Sequence, residues 1–98
     1  MNHYHGDRTI DGIVVTLNGS PLDHGLHVAR FTDQGFEWAY QGPEPRQLAL
    51  ALLLSHGLEP AQAIKLSVPY MTEVVSQLDN TWDLTSSDID SVLTEIKP

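Results

Sequence analysis

The sequence contains no cysteine. Disulfides, thiol catalysis and zinc sites built on Cys ligands are thereby excluded. Positive charge is also scarce: 5 Lys+Arg stand against 13 Asp+Glu, for a net charge of -8. Affinity for phosphates comes largely from Lys and Arg, so direct binding to nucleic acid or to an anionic membrane is disfavoured. Long apolar runs are missing as well. The longest, Leu48 to Leu54, is far too short to span a bilayer. Met1-Asn2-His3-Tyr4-His5 offers no apolar stretch of signal-peptide type, and a cytoplasmic setting in a bacterial host is expected. Finally, G-x-S-x-G, H-E-x-x-H, a P-loop and G-x-G-x-x-G are all absent. The expectation is therefore a protein that is not an enzyme and needs no cofactor.

What is present describes one small domain. The chain has 98 residues, 41% hydrophobic and 18% charged. That composition can bury a modest core, so the acidity does not mark a disordered tail. A single α+β domain over residues 1–98 is expected, with a sheet-forming part at 4–41 and a helical part at 45–96.

Tyr4 to Ile10 reads as a first strand interrupted by Gly6. Gly12-Ile13-Val14-Val15-Thr16-Leu17 is β-branched and compact, and Asn18-Gly19 follows it as a hairpin turn. Ser20-Pro21-Leu22 begins the return, with proline marking an edge or a short piece. Asp23 to Asp33 reads as a loop. In Gly35-Phe36-Glu37-Trp38-Ala39-Tyr40 the aromatics alternate, which predicts a strand with all three on one face. Those rings suit core packing better than stacking on bases, given the charge.

Arg46 to His56 is rich in strong helix formers and apolar nearly all round. It predicts a central buried helix ended by Gly57. Glu59 to Leu66 predicts a short second helix with Pro60 in its first turn. Val68-Pro69 predicts a break, with a third helix from Pro69 to Leu78. Thr81 to Thr85 alternates like a short added strand. Ser86-Ser87-Asp88-Ile89-Asp90 predicts a serine-capped last helix buried on Ile89, Val92, Leu93 and Ile96. The small antiparallel sheet, including the 35–40 strand, is expected to pack against the central helix and the C-terminal helices.

Candidate chemistry is sparse. His3 and His5 share a face if their segment is a strand. Asp23, His24 and His27 have a spacing that could chelate a metal, if they converge with supporting partners. Glu37 could be a buried acid with a raised pKa, or the partner of Arg8, Arg30 or Arg46. Gly42 precedes a helix N-terminus that could hold an anion, but Glu44 stands in the way.

The acids themselves are unevenly placed. Residues 59–98 carry a net -5 of the -8 through Glu59, Glu73, Asp79, Asp83, Asp88, Asp90 and Glu95. Asp88, Ser91 and Glu95 fall on one outer stripe of the last helix. These seven acids are the candidate surface for a protein partner with a basic face.

Gly35-Phe36-Glu37-Trp38-Ala39-Tyr40 and Gln47-Leu48-Ala49-Leu50-Ala51-Leu52-Leu53 resemble the core of a family of small uncharacterised bacterial, archaeal and phage proteins. That core runs G-F-E-W-G-Y, then a Gly/Pro turn, then Q-L-A-L-A-L-L. Tyr4-x-Gly6-x-Arg8, Glu73-Val74-Val75 and Trp82-x-Leu84 also resemble it, so the likeness spans residues 4 to about 85. Ala39 departs from the usual glycine, and Pro43-Glu44-Pro45-Arg46 replaces a glycine-rich turn. The family is a domain of unknown function and implies no activity. Its occurrence on mobile elements, together with the acidity, suggests a counter-defence inhibitor of anti-CRISPR type. Such a protein would bind a basic nucleic-acid-handling complex, for instance a CRISPR effector. The alternatives are a small metal-dependent hydrolase using His24, His27 and Asp23 or Glu37, and a self-associating structural or regulatory module. Monomer and homodimer both stay open.

Overall fold

A computed structural model describes residues 1–96; Lys97 and Pro98 lie outside the described residues. Four strands come from both ends of the chain. β1 (His3–Thr9), β2 (Gly12–Leu17) and β3 (Ser20–Pro21) are consecutive, whereas β4 (Thr81–Thr85) arrives after two helices. The order across the antiparallel sheet is β3-β2-β1-β4. The β2–β3 turn is made by Asn18 and Gly19, with φ of 52° and 88°. Both are left-handed, as a two-residue turn needs if it is to match the twist of the strands.

The register decides what each face carries. Gly6 lies opposite Val15 on one side and Trp82 on the other, and Tyr4 opposite Leu17 and Leu84. Side chains alternate along a strand, so these residues share the inner face with Arg8. His3, His5, Asp7, Thr81 and Asp83 share the outer face, which no helix among the described residues covers.

Helix α1 (Pro43–His56) begins after Gly42 with proline at its first position, where the missing N–H is not needed. It starts three residues earlier than the helix-former run suggests. Leu48, Leu50, Leu52 and Leu53 are all fully buried, so the helix is enclosed by the sheet, the 22–42 segment and the other helices. Each such leucine contributes about 1.5–3 kcal/mol relative to an exposed one. Gly57, at φ 108°, ends the helix; its N–H and that of Leu58 donate to Leu54 and Leu53 carbonyls. The Tyr4 hydroxyl meets Ser55 Oγ at 2.9 Å and pins the sheet to this end of α1.

Two expected elements differ in the structure. Residues 35–40 form no strand. Gly35 and Ala39 both have positive φ, 85° and 75°. A chain that enters and leaves through left-handed geometry cannot stay extended. The aromatics consequently do not share a face: Phe36 and Trp38 are buried, while Tyr40 is 43% exposed. The sheet-forming part therefore runs from β1 to β3 and is completed by β4, not by the 35–40 segment.

The expected break at Pro69 is also absent. Helix α2 (Pro60–Glu73) runs through it, and a short 3-10 turn, Val75–Gln77, follows. Burial of Ala63, Leu66, Tyr70 and Met71 against the core outweighs the one backbone hydrogen bond that proline removes.

The last helix, α3 (Ser86–Ile96), buries Ile89 and Leu93 as expected. Its cap is Thr85 rather than a serine. Asp88 N–H donates to Thr85 Oγ1 at 3.3 Å, and Thr85 N–H donates to Asp88 Oδ2 at 2.9 Å, a reciprocal capping box. Ser86 is tied to the other end of the chain: Asn2 N–H donates to its hydroxyl and its own N–H donates to the Asn2 carbonyl.

Candidate functional site

All seven acids of the C-terminal part are exposed. The fold does not gather them on one helix face; it spreads them over the loop before α2 (Glu59), the end of α2 (Glu73), the loop before β4 (Asp79), β4 (Asp83) and α3 (Asp88, Asp90 and Glu95). Three have partners within the chain. Asp83 Oδ1 accepts from His3 Nε2 at 2.7 Å and His5 Nδ1 at 2.9 Å. Asp88 caps α3. Asp90 Oδ1 meets His56 Nε2 at 2.6 Å and links α3 to the last turn of α1. Among the described residues, the side chains of Glu59, Glu73, Asp79 and Glu95 make no hydrogen bond or ion pair.

The arginines are occupied by contrast. Arg8 donates to Glu37 Oε1 at 2.6 Å, to the Trp38 carbonyl at 2.9 Å and to Asn80 Oδ1 at 2.7 Å. Its guanidinium also lies 4.7 Å from the centre of the Trp38 ring. Arg30 pairs with Asp33 at 2.7 Å. Arg46 Nε donates to Ser67 Oγ at 2.9 Å and its guanidinium stacks 3.8 Å over Phe31. With the three arginines engaged within the chain and Lys65 the remaining Lys or Arg side chain among the described residues, unpaired carboxylates dominate the surface field.

Of the three arginines that could meet Glu37, the structure selects Arg8. Glu37 is therefore half of a structural ion pair that locks the 35–40 segment under the sheet. Gln47 performs a matching task on the other side and is fully buried. Its amide nitrogen donates to the His24 and Ala29 carbonyls at 2.7 and 3.0 Å, and its oxygen accepts from Phe31 N–H at 2.8 Å. Composition and spacing do not single out Gln47; its one signal is a polar side chain at the head of an otherwise apolar helix, which must find partners when buried.

Asp23, His24 and His27 do not converge. Asp23 Oδ1 accepts from Gly25 N–H at 2.7 Å, closing a local turn, and is 3.9 Å from His27 Nδ1. The His24 ring lies flat on Phe36 with centroids 3.8 Å apart. Among the described residues, no group of three or more His, Asp or Glu side chains is arranged to hold a metal. The hydrolase alternative thus has no assembled centre at these positions. His3 and His5 share a face as their spacing predicts, and both turn to Asp83. Hydrogen bonds from His5 and His3 hold the Asp83 carboxyl below its ordinary value of 3.8.

The first turn of α1 carries Glu44, and no side chain caps its N-terminus. Thr32 Oγ1 and the Tyr40 hydroxyl donate to the two Glu44 oxygens at 2.7 and 2.8 Å. Those bonds hold the Glu44 carboxyl below its usual value. Tyr40 is pushed up to about 12 by its partial burial and then by the Glu44 carboxylate it serves.

No curated protein and no solved structure matches the chain. A family model does match, over residues 4–95, from β1 through almost all of α3. The last helix thus lies within the family pattern rather than beyond it. The chain belongs to the family of unknown function DUF6166.

Proposed function

We propose that this chain is a non-enzymatic acidic binding protein that docks on a basic, nucleic-acid-handling protein complex. One observation carries the reading: Glu59, Glu73, Asp79 and Glu95 are exposed and unpaired among the described residues, whereas Arg8, Arg30 and Arg46 are spent internally. Such a surface attracts a positively charged partner and repels phosphate. A phage or mobile-element inhibitor of anti-CRISPR type fits this description, because a compact polyanion can occupy a cationic path meant for nucleic acid. The lack of a converged set at Asp23, His24 and His27 weighs against the hydrolase alternative.

The test is capture of partners from a bacterial lysate across a salt series. Surface charge attraction is screened over about 8 Å at physiological ionic strength. Capture of a nucleic-acid-handling complex should fall steeply as salt rises. It should also be lost when Glu59, Glu73, Asp79 and Glu95 are changed together to Lys. Salt-independent capture, or no capture of such a complex, overturns the reading.

A further inference from the structure

The sheet is open along part of β2. β3 pairs only with Thr16 and Leu17. Leu22 adds a single bond, its N–H to the Val15 carbonyl at 3.0 Å. Toward the start of β2, no strand among the described residues follows on that side. The pairing also settles which backbone groups are left over. Thr9 and Gly12 close the β1–β2 hairpin, so Gly12 faces β1. Successive strand residues point their N–H and C=O to opposite sides. Ile13 therefore turns both groups away from β1, as Val15 does. Among the described residues, neither group of Ile13 has a partner.

A groove of about 610 Å³ runs beside this edge, lined by Ile13, Val15, Leu22, His24, Gly35 and Phe36 among others. Val15, Leu22 and Phe36 are buried around it, while Ile13 and Val14 stay 37% and 45% exposed. Ile13 belongs to the inner face, yet the helices do not reach it. The edge thus offers free backbone groups beside an apolar groove, the two features that an added strand uses.

Charge selects the occupant. Asp11 directly precedes the groove residue Gly12, and Asp23 directly follows Leu22; both are exposed. Among the described residues, no Lys or Arg lines the groove. The nearest arginines in sequence, Arg8 and Arg30, are held by Glu37 and Asp33. A second copy of the chain would bring another -8 against this rim. We propose that an extended, basic segment of the partner adds to β2 as a further strand. Its main chain pairs with Ile13, an apolar side chain enters the groove, and its Lys or Arg residues lie against Asp11 and Asp23. This deepens the basic-partner reading and rests on it for the choice of charge.

The probe is a fluorescent, end-blocked peptide of alternating Lys and Val. Its twin is N-methylated on the residues that would face Ile13, which removes backbone donors without altering this protein. The plain peptide should bind and slow hydrogen exchange at the Ile13 amide. The methylated twin should bind about tenfold more weakly, the scale of lost backbone hydrogen bonds. Ile13→Pro should weaken the plain peptide similarly, because that N–H faces outward and the β1 ladder does not use it. Asp11→Lys with Asp23→Lys should abolish the preference for a Lys-bearing peptide over a Glu-bearing one. Equal binding of the twin, or unchanged Ile13 exchange on binding, overturns strand addition. Concentration-dependent dimerisation that protects Ile13 without peptide assigns the edge to a second copy instead. Lysate capture that survives Ile13→Pro but not the change of Glu59, Glu73, Asp79 and Glu95 sinks the edge proposal and leaves the binding function intact.

Discussion

The indole of Trp82 lies directly over Gly6, its neighbour across the β1–β4 pairing. A Cβ at position 6 would overlap the ring atoms Cε2, Cζ2 and Nε1. Glycine is required there for space, not for backbone freedom. The ring in turn meets Trp38 edge-on, with centroids 5.6 Å apart. Gly6→Ala should therefore push one indole onto the other and cost about 1–3 kcal/mol, the usual range for overpacking. Denaturant unfolding measures the loss, and near-ultraviolet circular dichroism should report the altered indole pair.

Ala39 supplies a prediction of opposite sign. Its φ of 75° is one that residues with a Cβ rarely adopt. Glycine, which has no Cβ, suits that geometry. Ala39→Gly should stabilise the protein by about 0.5–1 kcal/mol, as strain relief exceeds the extra chain entropy that glycine brings to the unfolded state. The change in thermal midpoint checks it, and a fall in that midpoint would contradict the assigned conformation.

Gln47 should behave as a clamp rather than as filler. Gln47→Leu keeps the apolar volume but orphans the His24 and Ala29 carbonyls and the Phe31 N–H. A loss of about 2–4 kcal/mol is expected for this many under-satisfied groups. Limited proteolysis should show new cleavage within residues 23–31 before global unfolding sets in.

Asp83 carries the acid-side prediction. Its carboxyl is lowered in the folded chain by His5 and His3. A lowered folded value means that the contribution to stability is present above the ordinary 3.8 and is lost as pH falls through the folded value. Carboxyl titration by NMR should place Asp83 below a free aspartate. His5→Gln with His3→Gln should return it toward 3.8.

Much of the fold is legible from local signals. The Asn18-Gly19 turn, the Leu48–Leu54 run, Gly57 and the apolar stripe of α3 each encode their element within a few residues. The 35–40 segment misleads because the alternation of Phe36, Trp38 and Tyr40 resembles a strand. Two left-handed residues, one of them an alanine, interrupt it. Pro69 misleads for another reason: a local penalty is outweighed by burial that only the folded chain supplies. At the candidate surface, the exposure of all seven acids follows from composition and pattern. That Asp83, Asp88 and Asp90 already have partners does not. The histidines of Asp83 lie 78 and 80 residues away, and strand pairing brings them together. The open β2 edge is likewise invisible to spacing, because it depends on where β3 stops.

The position of β4 has a consequence for how the molecule is made. β1 is an interior strand, yet one of its two neighbours is translated only after both long helices. A nascent chain can close the β1–β2 hairpin early, but Gly6 and Trp38 wait for their indole until residue 82 leaves the ribosome. Until then the inner sheet face and its free edge stay unsealed. A product truncated before Thr81 would keep them so. Completion of the sheet, sealed by the Asn2–Ser86 bonds, is therefore a late event that waits until synthesis has passed residue 86.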